Sequence, residues 1–426
     1  MKIYTRLLLT SLLIVTPVPT LAQVLRRANP DDVGMSLERL ARLNSWLQEY
    51  VDEGKVAGSV VLVARHGNVV FQEAYGYSNL ESGQRMSENA IFRIASQTKA
   101  VVSVGAMILQ EEGRLLITDP VGKYLPEFME TSVAAANGDG GYDVVAAERR
   151  ITIRDLLTHT SGVGYGNGVA SDRWNTAEIQ GWYFADRHEP IRETVRRMTE
   201  LPFDAQPGER FVYGYSTDVL GALIEEVSGQ SLADFLRERI LEPLRMFDTH
   251  FYVPPNKTGR LATVYSVTEE GDLERAPDSG GMIGQGAYAN GPRTSYSGGA
   301  GLLSTASDYA RFLQMMLNGG ELDGFRILSP KTVELMTVNH LETPLGNGTG
   351  FGLGFSVVRD LGARGVPGSV GEYGWGGAYH STYWVDPQEE LVVVYFTQLI
   401  PTRGLDDHGK LRALVYQAIV GQEGSD

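Results

Sequence analysis

The chain has 426 residues, a formal charge of −15 and no cysteine. That length suits one large α/β unit carrying an insertion, or two domains. Acidic charge spread along the chain argues against a nucleic-acid partner, and the missing thiols exclude a disulfide scaffold, a cysteine nucleophile and a thiolate metal site.

The first residues read as an export signal. Lys2 and Arg6 precede an apolar run over 7–15, and small residues lead to Ala22, after which cleavage is expected. The run is too short to cross a bilayer core of about 30 Å, and no later stretch is long and apolar enough to do so. A periplasmic or secreted protein is expected, free of any membrane span.

Ser36 is placed to cap a helix in which Leu37, Leu40, Leu43, Leu47 and Val51 recur at helical spacing. Two strands follow, "GSVVLVARHG" and "NVVFQEAYGYSN", joined by a tight turn at His66-Gly67-Asn68. Next comes "FRIASQTKAVVSVGAMILQEEGRL", a mostly apolar helix. Between Arg93 and Glu111 its only charged side chain is Lys99, three residues after Ser96. From 116 to 297, proline and glycine punctuation, the loop-like "AAANGDGGYD" and several helical patterns suggest a largely helical lobe. A helix capped near Ser304 or Ser307 then precedes renewed β character in "GLGFSVVRD", "GEYGWGGAYHSTYWVD" and "ELVVVYFTQ", with a hairpin turn at Asp386-Pro387-Gln388, and a helix closes the chain. The expected architecture is α/β of the α+β kind. One antiparallel sheet flanked by helices is drawn from 23–115 and 298–426, and 116–297 is inserted as the helical lobe.

The chemistry narrows by elimination. Seven histidines form no close ligand pair, so a zinc hydrolase lacks support, and no Gly-x-Ser-x-Gly elbow occurs. His159 and His380 are read as structural before catalytic. The glycine-rich pieces lack the context of a phosphate cradle. What remains is Ser96-Gln97-Thr98-Lys99. Residues three apart share a helix face, and a lysine desolvated by an apolar wall can take the proton of a serine hydroxyl. The apolar surroundings are expected to keep Lys99 neutral enough to act as that base.

The same helix resembles the nucleophile helix of the class C β-lactamase and penicillin-recognising serine hydrolase family, closest to its family VIII carboxylesterases. "LLTHTSG" and "SGGAGLLSTASDYARFLQMML" resemble two further family stretches in the same order, and the likeness runs from about residue 30 to 420. It implies a β-lactamase-like fold, Ser96 as nucleophile and Lys99 as base. In "PGERFVYGYSTDVLG" it implies Tyr213 as the catalytic tyrosine, in preference to Tyr215. The third family element falls at Trp375-Gly376-Gly377, with the N–H groups of Ser96 and Ala378 as the implied oxyanion hole.

Two departures carry information. Tyr215 stands where β-lactamases place an asparagine, and Trp375 where they place a cation. Both lost groups would bind a substrate amide or carboxylate. The implied activity is therefore a carboxylesterase needing no cofactor or metal. Its small-molecule ester would be bound by Tyr215, Trp375, Gly376 and Gly377, in an apolar pocket lined further by Trp182 and Tyr183. A β-lactamase, D-aminopeptidase or DD-carboxypeptidase acting on amides stays open, as does a catalytically silent cell-wall-binding homologue. Oligomeric state stays open too.

Overall fold

The computed structural model describes residues 25–279 and 281–421, so the expected signal over 1–22 lies outside the described residues. The first helix, α1 (Leu37–Asp52), begins at Ser36, whose Oγ accepts from the Arg39 N–H at 3.3 Å. Leu40, Leu43 and Leu47 are buried along it, as their spacing requires.

Eight strands build the main path of the central sheet: β1 (Arg26–Arg27), β2 (Gly58–Arg65), β3 (Asn68–Asn79), β4 (Thr349–Phe351), β5 (Ser356–Val358), β6 (Tyr373–Gly377), β7 (Ser381–Asp386) and β8 (Leu391–Thr397). Their spatial order is β1-β3-β2-β8-β7-β6-β5-β4, and a short strand at Gln84–Arg85 pairs with β3. The two chain ends meet where β8 pairs antiparallel with β2, from Leu391 opposite Arg65 to Thr397 opposite Ser59. All neighbours on this path are antiparallel except β1 and β3 at one edge, which run parallel, so the sheet is mixed rather than wholly antiparallel. The β2–β3 turn places His66 and Gly67 at φ +50° and +73°.

Because side chains alternate across a strand, β2 feeds two cores at once. Val61 and Val63 pack with α1 and with α5 (Asp407–Tyr416) on one face. Val60 and Leu62 face the larger core with α2 (Thr98–Glu111), α3 (Ser216–Ser228) and α4 (Ala306–Leu317). Burial on both faces is why "GSVVLVAR" is continuously apolar instead of alternating. Helix α2 lies inside that larger core, with Thr98 through Leu109 all buried. The N-cap of α4 is Thr305, whose hydroxyl accepts from the Asp308 N–H, rather than Ser304 or Ser307.

Helices α3, Ile153–Leu157, Ser171–Thr176, Ile191–Met198 and Leu232–Leu236 occupy the intervening stretch, along with two β-hairpins. One hairpin corrects the expected loop at "AAANGDGGYD": Ser132–Ala136 pairs with Tyr142–Ala146. Asn137 closes its turn, its Oδ1 accepting from the N–H groups of Asp139 and Gly141. Alanine-rich strands carry little β signal in sequence, and here the pairing comes from the turn. "GEYGWGGAYHSTYWVD" is likewise two strands, β6 and β7, separated by Ala378-Tyr379-His380.

Candidate active site

Ser96 lies in a 3-10 turn, Ala95–Gln97, that leads directly into α2. The preceding residue, Ala95, is fully buried with φ +42°, a left-handed conformation costing an L-residue with a Cβ about 1–2 kcal/mol. Packing holds it there: the Ile94 N–H donates to Leu302 O and the Gln97 N–H to Ile94 O. Ala95 and Gln97 on either side are buried while Ser96 stays half-buried, so its hydroxyl is the group left facing outward.

One turn on, Lys99 is 2% exposed. Its Nζ donates to Gly299 O at 2.8 Å, to the Tyr165 hydroxyl at 3.0 Å and, more loosely, to Ser96 Oγ at 3.4 Å. It also sits 4.6 Å from the centroid of the Tyr213 ring. Burial pushes Lys99 down, but the Tyr165 and Tyr213 phenols, the hydrogen bond to Tyr165 and the Asp218 carboxylate outweigh it, so the net shift is upward. The charge of Lys99 is thus set by groups outside the helix as well as by the apolar wall expected from the sequence. The helix is apolar, but from outside it Gly299 O and the Tyr165 hydroxyl accept from Nζ, and the Tyr213 ring faces it.

Those acceptors are themselves held. Asp218, in the first turn of α3, is fully buried, and its Oδ1 accepts from Ser297 Oγ at 2.6 Å and from the Gly299 N–H at 3.0 Å. Burial pushes its carboxyl up, opposed by the Ser297 hydrogen bond and by Lys99. A Cβ on Gly299 would lie 2.4 Å from Asp218 Oδ2, so only glycine brings this carbonyl under the ammonium. Tyr165, pushed up chiefly by burial, completes the cradle. Sequence reasoning missed Tyr165, Asp218 and Gly299. Asp218 lies in the stretch whose family likeness singles out Tyr213, and Tyr165 lies in a glycine-rich loop with no motif of its own.

Tyr213 stands between Lys99 and β6. Its hydroxyl accepts from Trp375 Nε1 at 2.9 Å, and its ring packs on those of His159, Tyr165 and Trp375. Trp375, Gly376, Gly377 and Ala378 are half-buried along β6 and its end. A Cβ on Gly377 would fall 2.6 Å from Ile94 O, whereas one on Gly376 meets only Ser381 O at 3.3 Å. The strand therefore touches the backbone of the nucleophile turn at Gly377. Trp182 stands edge-on to the Tyr379 ring at 5.5 Å, in a cluster that includes Ala95 and Ala378.

Two expected substrate contacts are placed elsewhere. Tyr215 is fully buried, stacks on Trp174 and donates its hydroxyl to Gly181 O. It backs Tyr165, edge to face at 5.0 Å, instead of facing the cleft. Tyr183 is also buried, its hydroxyl accepting from the Ala287 N–H, because the segment turns it toward Tyr288. Neither histidine approaches Ser96 by a hydrogen bond. His159 is buried behind Tyr213 and held well below its ordinary pKa by burial and by Lys99. His380 Nε2 is committed to Asp407. Among the described residues, His380, Asp407 and His408 form a cluster of metal-ligand types, with candidate atoms within 4.8 Å.

A family model described as Beta-lactamase matches residues 43–417. Esterase EstB from Burkholderia gladioli is 32% identical over 387 residues, covering 87% of this chain and 94% of that protein. A putative D-alanyl-D-alanine carboxypeptidase from Salmonella typhimurium is 27% identical over 398 residues, covering 87% and 85%. Among solved structures, EstCE1, described as a hydrolase with promiscuous acyltransferase activity, superposes with a TM-score of 0.76 at 30% identity, covering 90% of this chain and 98% of that one.

Proposed function

The chain belongs to the beta-lactamase family, as a serine hydrolase, and from that premise we propose that it cleaves carboxylic esters through an acyl-enzyme on Ser96. Ser96 Oγ attacks the ester carbonyl, and its proton passes into the cluster of Lys99, Tyr165 and Tyr213. The N–H groups of Ser96 and Ala378 hold the oxyanion while the C–O bond breaks and the alcohol leaves with a proton from the cluster. Water then adds to the acyl group and gives a proton to the same cluster, the bond to Ser96 Oγ breaks, Oγ takes that proton back, and the acid departs. Lys99 must lose a proton before it can accept one. Burial, the largest single influence on Lys99, acts downward and favours that neutral form.

The observation carrying the ester reading is the bond from Trp375 Nε1 to the Tyr213 hydroxyl. Where the resemblance puts a cation for a substrate carboxylate, this chain has an indole whose one polar atom is already engaged. Such a site offers a β-lactam or peptide carboxylate no counter-charge at β6. The likeness to EstB supports the same reading. Amide hydrolysis of the D-alanyl-D-alanine type draws on the Salmonella relative and is the second reading. Because EstCE1 is described as having acyltransferase activity, an alcohol is expected to compete with water for the acyl group.

Short p-nitrophenyl esters assayed beside a chromogenic cephalosporin decide between the two. Esters should turn over faster, and faster cephalosporin cleavage would overturn the preference. A fluorophosphonate should add one adduct that Ser96→Ala abolishes; an adduct surviving that change removes Ser96 as nucleophile. We also read residues 1–22 as a signal for export, for which a mature N-terminus at Gln23 is the expected sequencing result.

A further inference from the structure

We propose that His380 is a positioning residue that clamps the turn carrying the Ala378 N–H, an inference resting on the acyl-enzyme reading above. The turn Ala378-Tyr379-His380 is the tip of the β6–β7 hairpin, where an oxyanion donor would otherwise move with the loop. His380 adopts φ +64°, a left-handed position that glycine takes without strain. A histidine there tolerates the strain and in return reaches the C-terminal helix.

Its side chain and its backbone are both anchored to the first turn of α5. His380 Nε2 lies 2.8 and 2.9 Å from the two oxygens of Asp407, a carboxylate 1% exposed. That carboxylate also accepts from the Tyr395 hydroxyl of β8 at 2.9 Å. His408 Nε2 lies 3.2 Å from His380 O, and the two imidazoles stack at 4.2 Å with 15° between their planes. The His380 N–H closes the turn onto Gly377 O at 3.0 Å. On the other side, Gly377 abuts Ile94 and the buried Tyr379 packs in the cluster with Ala95. The Ala378 N–H is thus gripped between the nucleophile turn and α5.

A metal is the rival use of these side chains. Nearly parallel rings send their in-plane lone pairs side by side, not toward one point, and Asp407 Oδ2 already accepts from the Tyr395 hydroxyl. The arrangement therefore serves geometry. Oxyanion donors act only when held within about 0.5 Å of the place where charge develops, so loss of the clamp should appear in the transition state more than in ground-state binding.

Three variants test this with a p-nitrophenyl ester and a boronic acid that adds to Ser96 as a tetrahedral anion. His380→Gly removes the clamp while relieving the backbone strain. Its kcat should fall about 10- to 100-fold with KM within about threefold, and boronate affinity should fall in parallel. His380→Gln, which keeps a donor within reach of Asp407, should recover most of the loss. Asp407→Asn weakens the same bond without removing bulk, and should lower kcat about 3- to 10-fold through an independent residue. A His380→Gly or Asp407→Asn variant with kcat within twofold of the parent overturns the clamp, as does equal loss in KM and kcat. A parent protein that fluorophosphonate fails to label at Ser96 overturns the acyl-enzyme reading itself, which separates the two failures.

Discussion

Lys99 is the residue on which the site turns. A buried ammonium must be paired, and this one has a carbonyl, a phenol and the face of a second ring while lying 3.4 Å from Ser96 Oγ. Lys99→Met keeps the bulk and removes the proton carrier. It is expected to lower kcat/KM for a p-nitrophenyl ester by about 10³-fold and to slow fluorophosphonate labelling equally. Wild-type labelling in that variant would remove Lys99 from proton transfer. Trp375 acts one step further out, through the Tyr213 hydroxyl. Trp375→Phe keeps an aromatic surface but loses the N–H, so kcat should fall about 3- to 10-fold, the worth of one hydrogen bond. An unchanged kcat would reduce Trp375 to packing.

At the scale of elements, the site is the seam between the start of α2 and the end of β6. Gly377 sets their separation, since any Cβ there collides with Ile94 O. Gly377→Ala should push β6 away from Ser96, cost about 10²-fold in kcat, as does loss of one oxyanion donor, and lower Tm. Gly376→Ala, with a single contact at 3.3 Å, should cost far less. Equal effects of the two changes would show that the seam is not the constraint. The strand and helix of this seam were legible in sequence from apolar runs and punctuation. The hairpin at Ser132–Ala136 and Tyr142–Ala146 was not, because short alanine-rich strands lack a period to read.

For the whole molecule, buried titratable groups set the pH response. Burial lowers His250 to about 4 and His159 well below 6.5. A depressed histidine contributes stability that is present above the unfolded value near 6.5 and is lost as pH falls through the folded one. Asp308, raised by burial to about 6, runs the other way: its contribution is present below 3.8 and is lost as pH rises through 6. His250, taken by itself, should contribute a fall in Tm between pH 6.5 and 4. His250→Gln, which can still accept from Lys257, should flatten that slope. A slope unchanged in the variant would assign acid lability to other groups. Local spacing and apolar period are enough to write the helix bearing Ser96 and Lys99 and a sheet drawn from both chain ends, while the likeness to the β-lactamase family rests on the quoted motifs. Long-range packing sets the rest: Tyr165 and Gly299 reach Lys99 from 66 and 200 residues away, and Tyr215 faces the core. Charge state and facing depend on which distant groups arrive at one point, and neither spacing nor composition records that.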